Sequence, residues 1–133
     1  MRKRFLTGAA VLGALIATGV SAASSAPSLR AVSVSHRHVI VVYRLPSDLA
    51  PGRVVVATRA RTAPSGEFVK ANIRFSEPLA GTRVGSGMRM RTRHTVRPGR
   101  YFVEVSGVIV GLDCTPKKPC KPHWSNIRRL SVR

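Results

Sequence analysis

An antiparallel β-sandwich of seven short strands is the fold class this sequence predicts, and three observations predict it. Apolar residues alternate at period two in several short runs, rich in Val and Ile. Turn residues such as Pro51-Gly52, Pro64-Ser65-Gly66 and Pro98-Gly99 divide those runs. After the first 22 residues no stretch carries a helical period of useful length, and no internal repeat appears. Alternation marks half-buried strands, and strands recurring about every 8–12 residues close into a sandwich, with a barrel as the competing closure.

Residues 1–22 read as a signal peptide. Arg2, Lys3 and Arg4 form a positive n-region, Phe5 to Val20 an apolar run, and Val20-Ser21-Ala22 a small-residue cleavage site, with Ser21-Ala22-Ala23 equally suitable. The apolar run is about 16 residues, short of the roughly 20 that a spanning helix needs. Export with cleavage is therefore expected over a retained anchor, leaving a secreted, extracellular or envelope protein with no stable membrane span. Residues 23–28 are expected to be a disordered lead-in, and 29–133 a single domain.

The strands are expected in this order. Leu29 to Ser35 is weakly strand-like. His38 to Leu45 is a central strand, with Val39, Val41, Tyr43 and Leu45 on one face and His38, Ile40, Val42 and Arg44 on the other. Pro46 stops it, and Ser47 to Gly52 is a connection with its corner at Pro51-Gly52. Arg53 to Arg61 follows, Val54 and Val56 inward. Phe68 to Phe75 is the fourth strand, with Val69, Ala71, Ile73 and Phe75 on the buried side. Ser76 to Ser86, containing Pro78, Gly81 and Gly85, is expected to be a loop. Met88 to Val96 resumes the alternation, with Met88, Met90, Thr92 and His94 opposite Arg89, Arg91 and Arg93. Arg100 to Val110 is the sixth strand, Tyr101, Val103 and Val105 inward, Arg100, Phe102 and Glu104 outward. Asn126 to Arg133 closes the chain.

Charge is the dominant bulk property. The chain has 23 Lys and Arg against five acids, and without Arg2, Lys3 and Arg4 the remaining 20 cations leave a net charge of +15. Such an excess repels itself and attracts polyanions. Cys114 and Cys120 lie close together in a chain expected to be exported, a context that favours a disulfide.

Four stretches resemble a fibronectin type III-like, immunoglobulin-fold domain. His38-Val39-Ile40-Val41-Val42-Tyr43-Arg44-Leu45-Pro46 looks like the second strand, with Tyr43 where the family usually carries a core tryptophan. Val96-Arg97-Pro98-Gly99-Arg100-Tyr101-Phe102-Val103-Glu104-Val105 looks like the turn and sixth strand, with Tyr101 as its tyrosine corner. Trp124-Ser125-Asn126, then Leu130-Ser131-Val132, resembles the start of the last strand, and the cysteine loop before it is similar to that of exported bacterial versions. The resemblance implies an interaction or spacer module, not an enzyme, and supplies no partner.

The residues themselves carry little catalytic signal. There is no Gly-x-Ser-x-Gly elbow, no pair of carboxylates, and Gly85-Ser86-Gly87 opens a strand rather than a phosphate-cradling helix. A metal site of Cys114, Cys120 and His123 would need a fourth ligand, and a copper site from His94, Met88 and Met90 competes with a methionine-filled core. No catalytic, metal or cofactor residue is therefore expected.

The strongest binding signal is the period-two row Arg89, Arg91, Arg93. Side chains at that spacing leave one face about 7 Å apart and can meet successive phosphates, sulfates or carboxylates, each bidentately. The plainer account is a solvated outer face in an Arg-rich chain. Lys117, Lys118 and Lys121 form a second cluster on the cysteine loop. Acidic envelope polymer or a surface protein is the expected partner, the latter through the cysteine loop. Cognate nucleic acid is not, since Tyr43, Phe75, Tyr101 and Trp124 are wanted by the core and no stacking platform is left.

Overall fold

A computed structural model describes residues 25–111, 115, 117 and 120–133. The expected signal peptide, with Cys114 of the expected disulfide and Lys118 of the lysine cluster, lies outside the described residues. The molecule is all-β: two antiparallel sheets face each other across one main core. The strands are β1 (Ser28–Ser35), β2 (His38–Arg44), β3 (Leu49–Ala57), β4 (Ile73–Pro78), β5 (Thr82–Val84), β6 (Gly87–Thr95), β7 (Gly99–Ile109), β8 (His123–Trp124) and β9 (Arg128–Val132). One sheet has the order β1-β2-β6-β5. The other has the order β4-β3-β7, with β8 and β9 both paired to the free edge of β7.

The strand count exceeds the expected seven for two reasons. Thr82–Val84, inside the expected loop, is a short edge strand on β6; the first residues of that loop, Ser76–Pro78, lengthen β4 without adding a strand. The last strand is also interrupted. β8 pairs with Ser106 and Gly107 and β9 with Gly99 to Val103. Between them Asn126 turns aside to β1, where its side chain accepts the Leu29 N–H at 2.9 Å and donates to the Leu29 carbonyl at 3.0 Å. Arg128 donates to the same carbonyl at 2.8 Å, so the edges of the two sheets are fastened together.

The main core is where alternation placed it. Val39, Val41 and Tyr43 of β2, Val54 and Val56 of β3, and Tyr101, Val103 and Val105 of β7 are buried together with Leu29, Phe75, Met90, Leu130 and Val132. The Tyr101 hydroxyl donates to the Arg97 carbonyl at 2.8 Å, tying β7 to the turn that feeds it.

Two expected strands are displaced. β3 covers Leu49–Ala57 rather than Arg53 to Arg61, because Pro51-Gly52 is no corner but a break of register within the strand. A Cβ on Gly52 would lie 2.4 Å from Ser106 Oγ and 2.7 Å from the Ser106 carbonyl oxygen, so only glycine fits there. The fourth strand begins at Ile73, not Phe68. Lys70–Asn72 winds into a 3-10 turn, Ala71 is exposed, and of the four residues expected on the buried side only Phe75 reaches the main core. Phe68 instead folds over the outer face of the β3/β7 sheet, where with Val55 and Ala57 it forms a second apolar cluster flanked by Ile73, Phe102, Trp124 and Ile127. Glu104, expected on an open face, is completely buried beneath that cover.

Candidate anion-binding face

β6 carries the arginine row along the outside of the four-stranded sheet. Met90 and Thr92 point into the molecule and are buried, which leaves Arg89 and Arg91 exposed on the opposite face, with Arg93 exposed just beyond them where the register breaks. The register with β2 sets Arg89 against Val42 and Arg91 against Ile40. Ile40 is only 9% exposed although it lies on the outer face. An arginine lays its aliphatic stem over apolar neighbours and holds its guanidinium in water, which fits these cross-strand pairs. Arg44 lies on the same outward-facing side of β2 and is exposed, so the face carries a further guanidinium. Its place on that face was legible in the alternation of β2. Its company with the β6 row was not, because alternation does not say which strands are neighbours.

The far end of the row is fixed from the other sheet. Opposite β2 the register of β6 breaks between Arg91 and Thr95. In that break the N–H groups of Arg93 and His94 donate to the Glu77 carboxylate of β4 at 2.7–3.0 Å, and His94 Nδ1 lies 2.7 Å from Glu77 Oε2. Glu77 is 3% exposed. Burial alone would raise its pKa, but the two N–H donors and the His94 imidazole together hold the carboxyl below its usual range. The imidazole also stacks on Phe75, ring centroids 4.9 Å apart. Thr92 fills the break from inside, accepting the Val39 N–H at 3.0 Å and donating to the His94 carbonyl at 2.8 Å. The row is therefore mounted on a strand clasped to both sheets.

Acids are scarce around it. Glu77 and Glu104 are spent inside the fold, and the one ion pair among the described residues is Glu77 with His94. None of the row arginines is paired with a carboxylate among the described residues. Lys117 and Lys121 are exposed on the connection between β7 and β8, which belongs to the other sheet, and so are no part of the row.

Two groups of the copper alternative have partners inside the fold: His94 faces Glu77, and the Met90 sulfur accepts the Ala80 N–H at 3.3 Å. Among the described residues no three His, Cys, Asp or Glu side chains come together as metal ligands would. Cys114, needed for the alternative with Cys120 and His123, lies outside the described residues. No protein-family model matches this chain, and no curated protein matches it in sequence.

Proposed function

We propose that this protein is a non-catalytic, secreted interaction module of fibronectin type III-like type that binds acidic polymers of the cell envelope through the β6 face. The observation that carries the reading is the row Arg89, Arg91, Arg93, exposed on one rigid strand with no carboxylate partner among the described residues. Arg89 and Arg91, about 7 Å apart on regular strand, with Arg93 exposed just beyond them, engage a repeating polyanion with little loss of order on binding, since the strand is already held from both sides. The fold family is supported by the strand order, by the face-to-face antiparallel sheets and by the Tyr101–Arg97 bond, which has the form of a tyrosine corner.

Retention on an immobilised anionic polymer at about 0.15 M salt, where the Debye length is about 8 Å, tests it. The protein is expected to be retained, and the triple variant R89S/R91S/R93S to lose most of that retention. R59S/R61S/R74S removes the same charge from exposed positions outside the row and is expected to keep it. Absence of retention, or equal loss in the two triple variants, would overturn the assignment.

A further inference from the structure

The β1–β2 hairpin turns through Ser35-His36-Arg37-His38, with Ser35 paired to His38 and only two residues at the tip. Both tip residues have positive φ, 51° at His36 and 70° at Arg37. A two-residue hairpin of this hand demands positive φ at both positions, which is why Asn-Gly is the common solution. Among the described residues every other positive φ belongs to glycine, at Gly66, Gly85, Gly99 and Gly111. Among the described residues the chain thus uses glycine wherever else this conformation occurs, and here it places a histidine and an arginine in it.

Nothing inside the fold accounts for that choice. Both side chains are exposed. His36 Nδ1 meets only the hydroxyl of its neighbour Ser35, at 3.2 Å. The tip is held through its backbone instead: the Val96 N–H donates to the Arg37 carbonyl at 2.8 Å, which locks it against the β6–β7 turn. Strained residues over-determined by their surroundings point to side chains kept for an outside contact.

The surroundings indicate what kind of contact. An open cleft of about 420 Å³ runs between the tip and the end of β9, lined by Val34, His36, Arg37, Ser131, Val132 and Arg133. Its charged side chains are those of Arg37 and Arg133. Arg97, directly after the Val96 that anchors the tip, is also exposed. Guanidinium forks around a cleft of this size suit a tetrahedral oxyanion, which can take paired N–H donors on more than one edge.

We propose that the His36–Arg37 tip and the end of β9 form a binding site for a phosphate- or sulfate-type oxyanion, separate from the β6 row. The test is titration of the isotope-labelled protein with inorganic pyrophosphate, followed by backbone amide shifts. Saturable shifts concentrated at His36, Arg37 and Ser131–Arg133 are expected, and they persist in R89S/R91S/R93S. The double variant H36N/R37G supplies the turn's preferred residues, so it keeps the fold. It is expected to melt about 4 °C higher, a shift that relief of one strained tip corresponds to in a domain of this size, and to bind pyrophosphate at least fivefold more weakly. R74S is the charge control and is expected to bind as the parent does. Shifts centred on Arg89–Arg93, unchanged affinity in H36N/R37G, or a melting temperature that does not rise would each overturn the proposal.

Discussion

Glu104 is the residue whose environment departs most from its chemistry. It is fully buried among Val55, Phe68, Phe102, Trp124 and Ile127, and the one hydrogen bond its carboxyl receives is the Phe68 N–H, at 2.9 Å to Oε1. Its other oxygen has no partner among the described residues. Burial pushes the carboxyl up to about 7, the Phe68 N–H pulls the other way, and the Glu67 charge adds to the rise. A carboxyl raised in the folded state holds its proton there when the unfolded chain has already lost it. Folding stability attributable to Glu104 is therefore full below about pH 4.5 and falls as pH rises to about 7, by roughly 3 kcal/mol if the whole shift is expressed. Glu77 runs the other way: its lowered carboxyl stabilises above the ordinary carboxylate range and loses that contribution as pH falls through its folded value. Glu104→Gln keeps an oxygen for the Phe68 N–H and cannot ionise. Urea unfolding is expected to find it more stable than the parent at about pH 8, by up to roughly 3 kcal/mol, and near parity at about pH 4. A variant less stable at the higher pH would show that this carboxylate is accommodated after all. Alternation read the direction in which Glu104 leaves β7 correctly. It could not show that Phe68, 36 positions earlier, would close over it.

At the scale of elements, the strands that alternate cleanly were legible and the ones that bend were not. β2 and β7 keep period two across a core of Val and Tyr, and β6 does so as far as Thr92, so their faces follow from sequence there. Beyond Thr92 the register of β6 breaks, and His94, expected inward beside Thr92, is exposed. β3 does not keep period two, because Pro51 and Gly52 look like a corner to any local rule. Their role as a register break depends on Ser106, which accepts the Arg53 N–H at 2.9 Å and leaves no space beside Gly52. The interruption of the last strand has the same kind of cause. Ser125 keeps β7 company, its N–H donating to the Val105 carbonyl at 2.8 Å and its hydroxyl accepting the Val105 N–H at 2.9 Å, while Asn126 crosses to Leu29. These are long-range pairings that no window of sequence contains. Gly52→Ala tests the first. The added methyl would meet backbone as well as Ser106 Oγ, so β3 and β7 must part locally, at an expected cost of about 1–3 kcal/mol in chemical denaturation. A loss below about 0.5 kcal/mol would show that the break yields without strain. The row on β6 should be untouched, since it belongs to the other sheet.

For the molecule as a whole, charge decides behaviour that the fold alone does not. The arginine row and the excess of cations were plain in the sequence. Which acids would offset them was not, because that depends on burial: Glu77 and Glu104 are withdrawn into the interior, leaving Asp48 and Glu67 as the described acids nearer the surface. The folded state therefore concentrates like charge on a small surface, and the unfolded chain spreads it out. Salt should then stabilise the fold. Between about 0.01 and 0.15 M the Debye length shrinks from about 30 to about 8 Å, enough to screen guanidiniums on opposite sides of the sandwich from one another. Calorimetry is expected to show the melting temperature rising over that range at fixed pH, with a smaller rise in R89S/R91S/R93S, where the densest part of the field is gone. An anionic polymer at low salt should raise it further in the parent than in that variant, because a ligand that binds only the folded form shifts the unfolding equilibrium. A melting temperature indifferent to salt would mean that the surface charges are too far apart to repel. The β6 row would then act on its partner as separate arginines rather than as one field.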